Sequence, residues 1–142
     1  MRISIFTAAL IVVALAAPLR VVADDEDTID YRRHVMASLG EQMDALAMIV
    51  QHRAPADNFT VHAQTLAIIA ATEKKAFEPK VPGGKSKPEV WSQWADFSKR
   101  MDVLVASTAE LAKAGGVATA GAKVDATSMC KSCHDTYMVP KK

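Results

Sequence analysis

The stretch TIDYRRHVMASLGEQMDALAMIVQHR, residues 28–53, decides the architecture. Ile29, Val35, Met36, Leu39, Met43, Leu46, Ala47, Ile49 and Val50 recur at helical spacing and place one apolar stripe on an otherwise polar rod. Asp27 or Thr28 offers an oxygen to cap its first turn. Ala54-Pro55 ends it, because the residue before a proline is pushed out of the helical region. A rod with one apolar stripe cannot bury that stripe alone, so it calls for partners.

Three further stretches supply them. Residues 58–77 carry Phe59, Val61, Leu66, Ile68 and Ile69, with Asp57 or Asn58 as cap. Residues 88–114 carry Val90, Trp94, Phe97, Met101, Leu104, Val105 and Leu111, and Gly115-Gly116 is a C-terminal stop. The last stretch starts near Val124 or Asp125 and runs to about Met138, where Val139-Pro140 ends it. Between them, EPKVPGGKSKP (78–88) holds three prolines and two glycines and reads as a loop, and the small residues 117–122 read as a linker. No stretch alternates with period two for long enough to form a strand. Four amphipathic helices with mostly modest connections predict an all-α, antiparallel four-helix bundle with up-down-up-down order.

The last stretch carries chemistry. Cys130-Lys131-Ser132-Cys133-His134 matches C-x-x-C-H, the attachment pattern of c-type haem. Two thiols three residues apart on a helix can each add to one haem vinyl group, and the adjacent imidazole can then ligate the iron from the same side. A redox dithiol should instead open a helix after a strand. A zinc site needs two more ligands, and no other cysteine is present. A disulfide between Cys130 and Cys133 would close a very small ring and staple little. The chemistry therefore points to one haem c, bound through Cys130 and Cys133.

The N-terminus gives the compartment. Residues 1–23, MRISIFTAALIVVALAAPLRVVA, combine a positive Arg2, an apolar run and small residues near Ala23, the pattern of a secretory signal peptide. The apolar run is shorter than the roughly 20 residues a spanning helix needs, and Pro18 and Arg20 interrupt it. Cleavage near Ala23 leaves one domain, residues 24–142, with no membrane anchor. Of 17 basic and 16 acidic residues it keeps 15 and 16, so its charge is near −1 and nothing favours nucleic acid as a partner. An exported protein with this motif is expected in the periplasm, because bacteria attach c-type haem outside the cytoplasm.

A sixth iron ligand is harder to read. In such a bundle the C-terminal end of the last helix faces the N-terminal end of the first. Met36 lies there, on the apolar stripe. Met43 is one heptad on, about 10 Å along the axis at 1.5 Å per residue. His34 is about 200° around the helix from Met36 and should face solvent, and His52 and His62 belong to the far end. Periodicity alone makes Met36 an ordinary core methionine as readily as a ligand.

At this point the chain resembles the class II c-type cytochromes, the cytochrome c prime family. The features that carry the resemblance are the C-terminal C-x-x-C-H, Tyr31-Arg32 with Leu39-Gly40 and Met43 in the first helix, Trp94 with Phe97, and Tyr137. The family divides by the residue five positions after that tyrosine. A bulky non-ligating residue leaves the iron five-coordinate and open to small gases, whereas methionine ligates it and gives a low-spin haem. Here the residue is Met36, so the resemblance implies the low-spin branch, with Met36 and His134 as iron ligands. It also implies that Arg32 pairs with a haem propionate. In one departure, Met138 stands where the family usually places Arg or Lys, four residues after the haem histidine.

The expectation is therefore a periplasmic electron carrier, not an enzyme, that passes single electrons between redox partner proteins. Homodimers through the first two helices are common in the family. The alternative is a five-coordinate protein that binds or senses NO or CO. A small peroxidase would need an acid–base group on the distal stripe, and no His or Arg is well placed there.

Overall fold

The computed structural model describes residues 24–120 and 126–140. The expected signal peptide, residues 1–23, and part of the last linker lie outside the described residues. Among the described residues six α-helices follow in order: α1 (Asp25–Val50), α2 (Phe59–Phe77), α3 (Glu89–Ser92), α4 (Trp94–Lys113), α5 (Val117–Ala120) and α6 (Ala126–Tyr137). Four of them, α1, α2, α4 and α6, form the expected bundle.

Helix α1 starts three residues before Thr28. The carboxylate of Asp24 accepts from the Asp27 backbone N–H at 2.8 Å, and Asp25, Glu26 and Asp27 place negative charge on the positive end of the helix dipole. It ends at Val50, short of the expected Arg53. His52 takes a left-handed φ of 57°, and Arg53 N–H donates to Met48 O at 2.8 Å while His52 N–H donates to Ile49 O at 3.0 Å. That is a Schellman closure with histidine where glycine is usual. A 3₁₀ turn, Ala56–Asn58, leads from Pro55 into α2.

The expected third helix is two helices. Gln93, at φ −117° and ψ 38°, leaves the helical region and separates α3 from α4. The break lets Trp91 turn back, its indole Nε1–H donating to Phe77 O at 2.9 Å, while Trp94 starts α4 and packs on Phe97 at 5.6 Å between ring centres. The small-residue linker is also partly helical, as α5.

Cross-helix contacts set the register. Lys74 meets Asp102 at 2.8 Å, Phe77 meets Phe97 at 5.1 Å, and Thr60 Oγ1 donates to Gly115 O at 3.1 Å, so α2 and α4 are antiparallel. Gln42 and His62 meet at 2.8 Å, which sets α1 against α2. Asp96 and Arg100 reach Tyr137 and Ser132, so α6 runs antiparallel to α4. One apolar cluster, with Leu39, Leu46, Ile49, Phe59, Leu66 and Leu111, fills the end away from the motif. A second, with Phe77, Val90, Phe97, Met101 and Tyr137, fills the motif end, and Met36 packs against both. Within the second, Tyr137 meets Phe97 edge-on at 5.2 Å, a favourable aromatic geometry. The described residues contain no strand, only isolated bridges that tie Ser86 to Gly83 and to Met138.

Candidate haem site

Helix α1 packs on α2, α2 on α4, and α4 with α3 on α6. The remaining side, between α1 and α6, holds a cavity of about 1110 Å³. That is slightly above the usual range for small-molecule sites, room enough for a large cofactor. Helix α1 contributes Ile29, Arg32, Met36, Leu39, Gly40 and Met43, and α6 contributes Cys130, Cys133, His134 and Tyr137. The motif and the first helix thus meet across one largely apolar space. Met43, expected to lie too far along α1, also lines it.

Cys130, Cys133 and His134 are half-buried, Lys131 and Ser132 between the cysteines are exposed, and the two thiols are not bonded to each other. Burial pushes both thiols up. At Cys133 the Arg100 charge opposes that rise, and the Asp96 charge adds to it. Burial lowers the pKa of His134 more than the neighbouring Asp135 raises it. The imidazole is therefore neutral at neutral pH, the form that ligates iron.

Arg32 is only 3% exposed. Its Nη2 donates to Val81 O at 2.7 Å, and its guanidinium carbon lies 5.1 Å from the Trp91 ring centre and 5.5 Å from that of Phe77. Arg32 lines the cavity, and its Nε and Nη1 are buried without a hydrogen-bond partner. Two unmet donors on a buried cation leave a place for an anion, and the carboxylate of a haem fits it. His34 and His52 are exposed, and His62 is engaged with Gln42.

Three features were not foreseen from sequence. The loop 81–86 closes one end of the cavity, with Lys87 N–H donating to Tyr137 O and Val139 N–H to Lys85 O, both at 2.9 Å. Asp96 and Arg100 join Tyr137 beside the motif: Tyr137 Oη donates to Asp96 Oδ2 at 2.6 Å and Arg100 Nε to the same oxygen at 2.7 Å. The hydrogen bond from Tyr137 is the main cause that holds the Asp96 carboxyl low, while burial and then Asp96 push the Tyr137 phenol up to about 12. The i,i+4 spacing of Asp96 and Arg100 was a visible signal of pairing. Nothing local tied it to Tyr137. The third feature is Glu73, fully buried on α2 with neither carboxylate oxygen partnered.

The family model described as Cytochrome C′ matches residues 27–138. The chain belongs to the cytochrome c′ family. It is 32% identical over 121 residues to the cytochrome c′ of Rubrivivax gelatinosus, covering 78% of this chain and 93% of that one. It is 32% identical over 125 residues to that of Pararhodospirillum photometricum, covering 81% and 98%. Ferric cytochrome c prime from Alcaligenes xylosoxidans superposes with a TM-score of 0.77 at 28% identity, covering 84% of this chain and 98% of that one. A nitric oxide complex of a mutant of the same Alcaligenes protein superposes with a TM-score of 0.76 at 27% identity, covering 83% and 98%. Family members bind one covalent haem c, and the two cysteines that attachment requires are Cys130 and Cys133. No helix among the described residues is long and apolar enough to cross a membrane.

Proposed function

We propose that this chain is an exported monohaem cytochrome c′ in which His134 ligates the iron and the α1 side of the haem receives a small diatomic gas such as NO or CO. The observation that carries this reading is the α1 wall of the cavity. Met36, Leu39, Gly40 and Met43 form an apolar lining that suits an uncharged ligand. Membership of a family whose haem is typically five-coordinate supports it, as does the nitric oxide complex of the Alcaligenes relative. Bound haem supplies one-electron redox chemistry and a coordination position for the gas. Cys130 and Cys133 fix it, Arg32 offers its free N–H groups to a propionate, and the apolar α1 wall keeps water from the gas-binding side.

A second reading keeps the low-spin electron carrier, with Met36 as sixth ligand and redox proteins as partners. Met36 itself favours it. It is a half-buried thioether on the cavity wall, at the position where the family's low-spin branch carries its ligand. Residues 1–23 act in either case as a cleaved signal that delivers the chain to the periplasm, which N-terminal sequencing of the exported protein would test. Exposed Val61 and Ile68 on α2 and Met48 on α1 give an apolar outer face suited to homodimer formation, a frequent state in the family, with sedimentation as the test.

Optical spectra of the haem-loaded protein in both oxidation states, beside Met36→Ala, separate the two readings. A high-spin spectrum that is unchanged in the variant and shifts on adding CO supports the gas-binding cytochrome. A far-red sulfur-to-iron band in the ferric wild type that vanishes in Met36→Ala overturns it in favour of the electron carrier.

A further inference from the structure

Four residues beyond His134 the chain has Met138, so that position on the haem helix brings no cation to the site. A cation arrives from α4 instead. Arg100 Nη1 donates to Ser132 O at 2.8 Å, and Ser132 lies between the two cysteines. Its Nε donates to Asp96 Oδ2 at 2.7 Å, and its guanidinium carbon stands 5.5 Å from the centre of the Tyr137 ring. Tyr137, itself buried, closes the set with its own bond to Asp96 at 2.6 Å. Asp96 and Arg100 line the same cavity as Cys133 and His134. A planar fork held on two edges and one face keeps its charge in one place, which a flexible ammonium would not.

We propose that Arg100 is a positioning residue for the haem: clamped by Asp96 and Tyr137, it holds the turn 130–134 through the Ser132 carbonyl and places a fixed positive charge on the His134 side, raising the reduction potential of the iron. The inference rests on the reading that Cys130, Cys133 and His134 hold a haem. The physics gives the clamp a signature. A fixed cation favours the ferrous over the more positive ferric state, and a fixed anion does the reverse. Arg100 and Asp96 must therefore act with opposite sign, although they support the same piece of scaffold.

The test is the reduction potential of the haem-loaded protein, measured by spectroelectrochemistry on wild type, Arg100→Gln, Arg100→Lys and Asp96→Asn. Arg100→Gln should lower the equilibrium constant for reduction about tenfold, which is ~59 mV for one electron. Asp96→Asn should raise it, and Arg100→Lys should fall between wild type and Arg100→Gln, because it keeps the charge but loses the fork that fixes its place. Shifts of the same sign in Arg100→Gln and Asp96→Asn, or an unshifted Arg100→Gln, would overturn the proposal. If Arg100→Gln does not load haem, Asp96→Asn decides: a potential no higher than wild type overturns the proposal. Intact mass and the pyridine haemochrome spectrum of the same samples separate the two claims. A wild type without covalent haem sinks the haem reading and this inference with it, whereas a loaded wild type with unshifted variants sinks this inference alone.

Discussion

The guanidinium carbon of Arg32 lies 5.1 Å from the centre of the Trp91 ring, so one face of a buried cation is covered by an aromatic face. This contact and the Val81 carbonyl account for one side of the group, and Nε and Nη1 are left for something else. Burial alone draws the guanidinium pKa below its ordinary value, the mark of a charge without enough partners. If a haem carboxylate meets those donors, Arg32→Leu should destabilise the haem-loaded protein by about 2 kcal/mol in denaturant unfolding. Unchanged or increased stability in the loaded variant would remove the propionate role.

The end of α1 offers a contrasting case, in which a residue is poorly suited to its backbone. His52 holds a left-handed φ of 57° in a Schellman closure and is exposed. A side chain costs roughly 1 kcal/mol in that conformation, and glycine does not. His52→Gly should therefore raise the unfolding free energy by up to about 1 kcal/mol, offset in part by the freer unfolded chain, and leave the haem spectrum untouched. A loss of stability would mean that the imidazole makes a contact that matters.

These cases show where the sequence was legible. The four long helices could be read because each carries its own apolar stripe, and C-x-x-C-H could be read because its chemistry is local. The break at Gln93 could not, since no glycine or proline marks it and the pull comes from Trp91 reaching Phe77 O. The start of α1 was misplaced because Asp24, Asp27 and Thr28 are all good caps, and only the backbone picks Asp24. The resemblance marked Arg32 as a haem contact, but its bond to Val81 spans 49 residues, and that of Tyr137 to Asp96 spans 41. Neither has a periodicity signal. Glu73 sits in Thr72-Glu73-Lys74-Lys75, which reads as a solvated face, yet the register of α2 against α4 turns it inward.

The loop that closes the cavity depends on two glycines. An ideal Cβ on Gly83 would stand 2.8 Å from Ile29 Cδ1, and one on Gly84 2.8 Å from Ile29 Cγ2, with φ of 138° and 60°. The steric part is soft at Gly83, because Cδ1 is the tip of a flexible side chain, whereas the backbone part is not. Gly83→Ala should cost more than about 1 kcal/mol, and adding Ile29→Val, which removes Cδ1, should recover only part of that. Full recovery in the double variant would show that packing against α1, not the backbone, dictates glycine at this turn.

Glu73 makes stability depend on pH. Its carboxylate oxygens are buried without partners, and the nearest cation in sequence, Lys74, pairs with Asp102 instead. Burial pushes its carboxyl up to about 7 in the folded chain, from an ordinary value of 4.5. The folded state therefore holds this proton more tightly than the unfolded one. Stability from the group is fully present below about pH 4.5 and is lost as pH rises through about 7. The loss is about 3 kcal/mol at most on the alkaline side, because each tenfold difference in proton affinity is worth about 1.4 kcal/mol. Glu73→Gln imitates the protonated carboxyl and cannot ionise, so it should match wild type at pH 5 and exceed it at pH 8. Denaturant unfolding of the haem-loaded pair at the two pH values checks this. Equal pH dependence in wild type and variant would mean that Glu73 finds a partner or water on ionising and is not the source of the slope.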